Sequence, residues 1–122
     1  MAQKQSARTE KECIFCRILA GEIPSEILHR DDLCFVIRDI APVAPVHLLV
    51  IPIQHYIHAT GEAQDMEATL GHLMSVAKDM AKSEGIFDSG YRMAVNQGPD
   101  SGQSVDHLHL HVLGGRVLAH EG

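Results

Sequence analysis

The segment His107-Leu108-His109-Leu110-His111-Val112-Leu113 leaves the chain few conformational choices. Imidazole and branched apolar side chains alternate along it, which matches the period of two of a β-strand and not the 3.6 of a helix. As a strand it places His107, His109 and His111 on one face and turns Leu108, Leu110 and Val112 into a core. Same-face residues then lie about 6–7 Å apart along the backbone. Such a row is either a solvated or metal-binding face on an edge strand, or a site where one imidazole attacks an electrophile while its neighbours fix its tautomer and balance its charge. Three histidines in register favour the site. So does Gly102-Gln103-Ser104 just upstream, whose glycine, backbone N–H groups and hydroxyl suit an anion such as phosphate.

The rest of the chain supplies the remainder of one sheet. Residues 1–12 are polar and read as a flexible N-terminal arm; residues 13–122 read as a single domain. Ile14, Phe15, Ile18 and Leu19 have helical spacing, closed by Gly21 and Pro24. Glu26 to Arg30 and Leu33 to Arg38 read as strands separated by the turn residues Asp31-Asp32. Val46 to Ile51 reads as a central strand ended by Pro52. From about Glu62 to Glu84, Met66, Leu70, Leu73, Ala77 and Met80 form the stripe of a long helix, with Gly85 as its C-terminal stop. Tyr91 to Asn96 and Val105 to Leu113 are the last two strands. The expected class is α+β, a mostly antiparallel five-stranded sheet with one long helix and one short N-terminal helix.

Charge and cysteine usage narrow the function classes. The formal net charge of −6 provides no positive field to gather nucleic acid. The longest apolar run, Pro45 to Ile53, is interrupted and far too short to span a bilayer, so no membrane partner is expected. The N-terminal residues hold no apolar h-region, which makes a reduced cytoplasmic setting the default. In that setting Cys13-x-x-Cys16 reads as metal or redox chemistry before a structural disulfide, and Cys34 as an inert core thiol. Among the nine histidines, His29, His58, His72 and His120 read as solvated surface.

The triad and its surroundings resemble a known family. His107-Leu-His109-Leu-His111-Val-Leu matches the histidine triad pattern, His-φ-His-φ-His-φ-φ with φ apolar. The likeness extends to Asp39-Ile40, Ala44 to Pro52, Gly71 to Met74, Gly90-Tyr91-Arg92, Asn96-x-Gly98 and Gly102-Gln103-Ser104, covering about residues 13–118. Leu113-Gly114-Gly115-Arg116 is most similar to the histidine triad nucleotide-binding branch, the purine nucleoside phosphoramidases. The pattern departs at Asp106, where that branch commonly has an aromatic residue.

The resemblance implies a histidine-triad-like fold, a homodimer, and hydrolysis of AMP–amine phosphoramidates through a nucleotidyl-histidine on His109. It gives His107, His111 and His47 orienting and proton-handling roles, and Ser104 a hydrogen bond to the phosphate or leaving amine. Asn96 and the backbone at Gly102 and Gln103 would hold phosphate oxygens. Asp39 would accept both ribose hydroxyls, with Ile40 flanking the purine; the alternative for Asp39 is a cap on the loop before Ala41-Pro42. No cofactor is required for catalysis. Some bacterial members hold a structural zinc at positions filled here by Cys13, Cys16, His55 and His107, the last shared between metal and site. The competing functions are a dinucleoside polyphosphate hydrolase, a nucleotide-binding scaffold with little turnover, and a metal-binding module.

Overall fold

The computed structural model describes residues 12–57 and 65–119. The arm expected at 1–12 falls almost wholly outside them, as do His58, His120 and the expected first residues of the long helix. The elements are α1 (Ile14–Leu19), β1 (His29–Arg30), β2 (Cys34–Arg38), β3 (Val46–Pro52), α2 (Met66–Ser83), β4 (Tyr91–Ala94) and β5 (Leu110–Gly114), with a 3₁₀ turn at Pro99–Ser101. The five strands form one antiparallel sheet in the order β1-β2-β3-β5-β4. The chain reaches the β4 edge through α2 and then returns with β5 to the middle. The α+β class holds.

Both faces of the central strands are covered, so β2 and β3 read as nearly continuous apolar runs. Cys34, Val36, Leu48, Val50, Leu110 and Val112 pack beneath α2 with Leu73, Val76, Ala77 and Met80. On the other face Phe35, Ile37, Leu49 and Ile51 pack with Cys13, Phe15 and Ile18 of the α1 segment. Each such fully buried large apolar side chain is worth about 1.5–3 kcal/mol. The helix α2 ends in a left-handed turn: Gly85 has φ +78°, its N–H donates to Lys82 O, and the N–H of buried Ile86 donates to Ala81 O.

Three strands are shorter than their sequence pattern by two residues or more. At the sheet edge β1 keeps two paired residues, with Leu28 N–H donating to Val36 O just before them. In the centre β5 starts at Leu110 rather than Val105. The pairing of β3 with β5 ends at Val50–Leu110, and the next position in line, Pro52, has no N–H to continue the ladder. Leu108 N–H donates instead to Tyr56 O, in the loop after β3. Lacking β5 residues beyond Leu110, β4 stops at Ala94 rather than Asn96. The period of two nevertheless survives in the side chains, since Leu108, Leu110 and Val112 are all buried in the α2 core. Among the described residues no helix is long and apolar enough to cross a membrane.

Candidate active site

On the α1 face, His47 and Leu49 of β3 stand beside Leu113 and His111 of β5, because the register pairs His47 with Leu113 and Leu49 with His111. A cavity of about 260 Å³ opens there. Phe15 and Ile18 of α1, with Ile37 and Leu49, form its apolar wall; Asp39, Ser104, His109 and His111 are among its polar lining residues, with Arg38. The structure brings Asp39, Ile40, Ser104, His109 and His111 to one cavity.

Hydrogen bonds assign the tautomers of the histidines in turn. Val43 N–H donates to His47 Nδ1 at 3.2 Å, so the ring hydrogen of His47 sits on Nε2. That Nε2 is 2.9 Å from His111 Nδ1 and 3.3 Å from Asp39 Oδ2. Receiving the hydrogen at Nδ1, His111 carries its own on Nε2, a buried nitrogen with no hydrogen-bond partner among the described residues. His109 donates Nδ1–H to the His107 carbonyl at 2.7 Å, which leaves Nε2 as the lone-pair atom of a ring that lines the cavity. A nucleophilic nitrogen and an unengaged N–H donor therefore stand on adjacent same-face positions, with ring centroids 4.9 Å apart.

Electrostatics keep these rings neutral. Burial lowers the pKa of His47 and of His109, outweighing the hydrogen bond and Asp39 charge that favour the protonated forms. His111 is pushed down to about 4 by burial, with His109 and His47 adding to the shift. An uncharged imidazole is the form whose free nitrogen carries a lone pair.

His107 behaves differently from its triad partners. Its ring turns away from the cavity: Nε2–H donates to Pro52 O at 2.9 Å, and Nδ1 lies 3.3 Å from Cys13 Sγ, 3.6 Å from Cys16 Sγ and 3.1 Å from His55 Nδ1. Cys16 Sγ is 3.2 Å from His55 Nδ1. The hydrogen bond between His107 and His109 therefore uses the His107 backbone carbonyl, not its imidazole. The four donor atoms all lie within 4.8 Å of one another. Bond lengths of about 2.0–2.3 Å to nitrogen and sulfur put tetrahedral ligand–ligand separations at about 3.3–3.8 Å, so this set fits a tetrahedral divalent ion with little movement. The bond to Pro52 is the outer contact that aims the His107 Nδ1 lone pair inward.

The phosphate-side residues are less concentrated. Asn96, Gly102 and Gln103 do not line the cavity. Gly102, at φ +84°, closes the Pro99–Ser101 turn. The Gln103 amide braces that loop, accepting from Gly98 N–H and donating to Ile57 O and Val105 O. Only its backbone is left to meet an anion. Asp39 caps its loop, with Oδ1 accepting Ala41 N–H at 2.9 Å, and the residue also lines the cavity.

Two features escaped the sequence reading. Ile14, Phe15 and Ile18, read simply as a helix, form a wall of the cavity, with the Phe15 ring edge-on to His109 at 5.2 Å and to His107 at 5.7 Å. His29 and His72, read as solvated surface, both bond Asp31 Oδ2, at 2.7 and 2.8 Å. Asp31 Oδ1 accepts the N–H groups of Leu33 and Cys34, so this carboxylate ties the β1–β2 turn to α2. The signal was the sequence Asp31-x-Leu33-Cys34, the pattern of a side chain capping its own turn.

Comparison with known proteins agrees with this arrangement. The HIT domain family model matches residues 20–118. The chain is 42% identical over 116 residues to the purine nucleoside phosphoramidase of Escherichia coli strain K12, covering 92% of this chain and 98% of that one. It superposes on a HIT family hydrolase from Legionella pneumophila with a TM-score of 0.83 and 40% identity, covering 88% and 96% of the two chains. A Zn-bound histidine triad family protein from Mycobacterium smegmatis gives a TM-score of 0.75 at 29% identity, covering 88% and 78%. With the triad, its supporting histidine and the sheet all in place, the chain belongs to the HIT domain family.

Proposed function

We propose that the protein hydrolyses purine nucleoside phosphoramidates of the AMP–amine type, with His109 as the nucleophile. One observation carries the reading: the His107 carbonyl holds the His109 hydrogen on Nδ1, leaving a lone pair on Nε2 beside the unengaged Nε2–H of His111. His109 Nε2 attacks the α-phosphorus, and the P–N bond breaks with its electron pair going to the amine. The amine takes a proton from water at the cavity mouth, where Ser104 is exposed. His111 Nε2–H donates to a phosphoryl oxygen as charge develops, and His47 keeps that donor in place. The His109 adduct carries a positive charge, which its Nδ1–H shares with the His107 carbonyl. Water then attacks phosphorus and gives its proton to the hydroxide left by the first step, the P–Nε2 bond breaks, and AMP and neutral His109 are released. Asp39 and Ile40 support binding of the ribose and the base.

The similarity over 92% of the chain to a purine nucleoside phosphoramidase supports this substrate class. The donor spacing at Cys13, Cys16, His55 and His107 supports a structural zinc, which would fasten α1 to the loop after β3 and take no part in the reaction. The open edge at β4, with exposed Phe87 and Val95 nearby, supports pairing with a second copy. Light scattering after size exclusion tests that pairing.

The function is tested with a fluorogenic adenosine phosphoramidate, assayed beside a dinucleoside polyphosphate. Wild type is expected to turn over the phosphoramidate preferentially, and His109→Ala to bind AMP without turnover. Equal rates for the two proteins would overturn the assignment.

A further inference from the structure

The segment that carries the cysteine pair also walls the substrate cavity. Cys13 and Cys16 face His55 and His107, whereas Ile14, Phe15 and Ile18, interleaved with them, line the cavity. Phe15 is buried and lies edge-on against both His107 and His109. His107 in turn touches the cysteines with its ring and the nucleophile with its carbonyl. A change at the sulfurs therefore reaches the cavity along two short routes, the α1 backbone and residue 107.

The two sulfurs differ in access. Cys13 is closed off at 1% exposure, whereas Cys16 is half-buried and, with Leu19, Ile53 and His55, borders an open cleft of about 360 Å³ on the other side of α1. The cleft is wide enough for a small peroxide or a chelator to reach Cys16 first. Neither cysteine is in a disulfide, and their Sγ atoms lie within 4.8 Å of each other, so bridging them takes a local shift at the start of α1. Cys34 offers no competing target: it is wholly buried, and burial with the nearby Asp31 charge pushes its thiol up to about 12.

We propose that Cys13 and Cys16 form an oxidisable pair whose disulfide loosens the nucleotide cavity. This rests on the nucleotide-site reading above. The Cys16 sulfur attacks one oxygen of a hydroperoxide; the O–O bond breaks, leaving a sulfenic acid on Cys16 and releasing water or an alcohol after proton uptake. The Cys13 sulfur then attacks the Cys16 sulfur, forming the S–S bond, while the hydroxyl leaves with the Cys13 proton as water. Two sulfurs lose one electron each, and the peroxide gains both. Any ion held by the four donors loses both its sulfur ligands in the same step. The bridged turn no longer holds Phe15 and the His107 carbonyl in the positions that orient His109.

The test oxidises the reduced full-length protein with stoichiometric hydrogen peroxide and maps the linkage by peptide mass. AMP affinity is measured by calorimetry in the reduced, oxidised and re-reduced forms. Amide hydrogen exchange over residues 13–20 and 107–111 is followed without nucleotide. The expected result is a Cys13–Cys16 disulfide, Cys34 still a thiol, AMP affinity weakened by about fivefold or more, faster exchange in both segments, and recovery with dithiothreitol. Cys34→Ala is expected to keep the response and Cys16→Ser to lose it. Oxidation that links no Cys13–Cys16 pair, or a quantitative disulfide with unchanged exchange at 107–111, overturns the proposal. Absence of AMP binding by the reduced protein counts against the nucleotide reading instead, and the exchange experiment still decides the coupling.

Discussion

His47 does not line the cavity, yet the hydrogen-bond chain makes it the residue that decides which nitrogen of His111 presents a hydrogen. Replacing it with alanine removes the donor to His111 Nδ1 and also leaves the Val43 N–H without its acceptor. A buried hydrogen-bonding group left unsatisfied costs about 1–3 kcal/mol. If the His111 tautomer loses a bias of that size, the N–H donor to the transferring phosphoryl group is lost in proportion, and kcat should fall about 5- to 150-fold. KM should change little, because the cavity wall stays intact. His47→Gln can place an amide N–H toward His111 and is expected to recover part of kcat. Steady-state kinetics on a fluorogenic adenosine phosphoramidate supply the kcat and KM split, and urea unfolding separates loss of fold from loss of rate. The ¹⁵N shifts of the His111 ring read the tautomer itself, a signal that a purely structural role for His47 would leave in place. Wild-type kcat in His47→Ala, or a His111 ring that keeps its Nε2–H tautomer without His47, would refute the reasoning.

Three further outcomes concern His111, Asp31 and Gly115. The His111 pKa of about 4 in the fold lies below the ordinary value near 6.5, so the unfolded chain takes up its proton first as pH falls. Stability from His111 is therefore full above pH 6.5 and drains away between 6.5 and about 4, by up to ~1.4 kcal/mol per pH unit; equal urea midpoints at pH 7 and pH 5 would contradict this. Burial raises the Asp31 carboxyl, but hydrogen bonds from His29, His72 and the Leu33 and Cys34 amides outweigh it and hold the pKa well below the carboxylate range. Its stabilisation is present above the unfolded pKa and fades in stronger acid; Asp31→Asn should cost about 1–3 kcal/mol in urea unfolding at pH 7 and leave kcat alone, because Asp31 is not part of the cavity lining. Gly115 has φ +97°, and an added Cβ would sit 2.8 Å from Pro45 Cβ, so Gly115→Ala should lose about 1–3 kcal/mol, visible as a lower Tm; an unchanged Tm would show that the turn can relax.

The local regularities were legible because they are written in one dimension. A period of two placed Leu108, Leu110 and Val112 in the core, and a period near 3.6 placed Met66, Leu73, Ala77 and Met80 on the buried face of α2. The candidate nucleophile followed from the triad pattern, and the cluster of Cys13, Cys16, His55 and His107 from family likeness. Strand lengths were less legible, because pairing depends on a partner: β5 shortens where Pro52 on β3 lacks an N–H.

What the sequence determined by itself is the alternation that forces a strand, the net negative charge, and the residue types gathered near its end. Only the tertiary structure decided how each imidazole is used. Cys13 meets His107 across 94 positions of chain and His47 meets His111 across 64, and no periodicity encodes those encounters. Three histidines that look equivalent in sequence thus acquire three hydrogen-bond environments. The His107 ring turns to the cysteines, His109 keeps a lone pair at the cavity, and His111 is left holding a hydrogen, because ring tautomers are set by the partner across the fold and not by the neighbour along the chain.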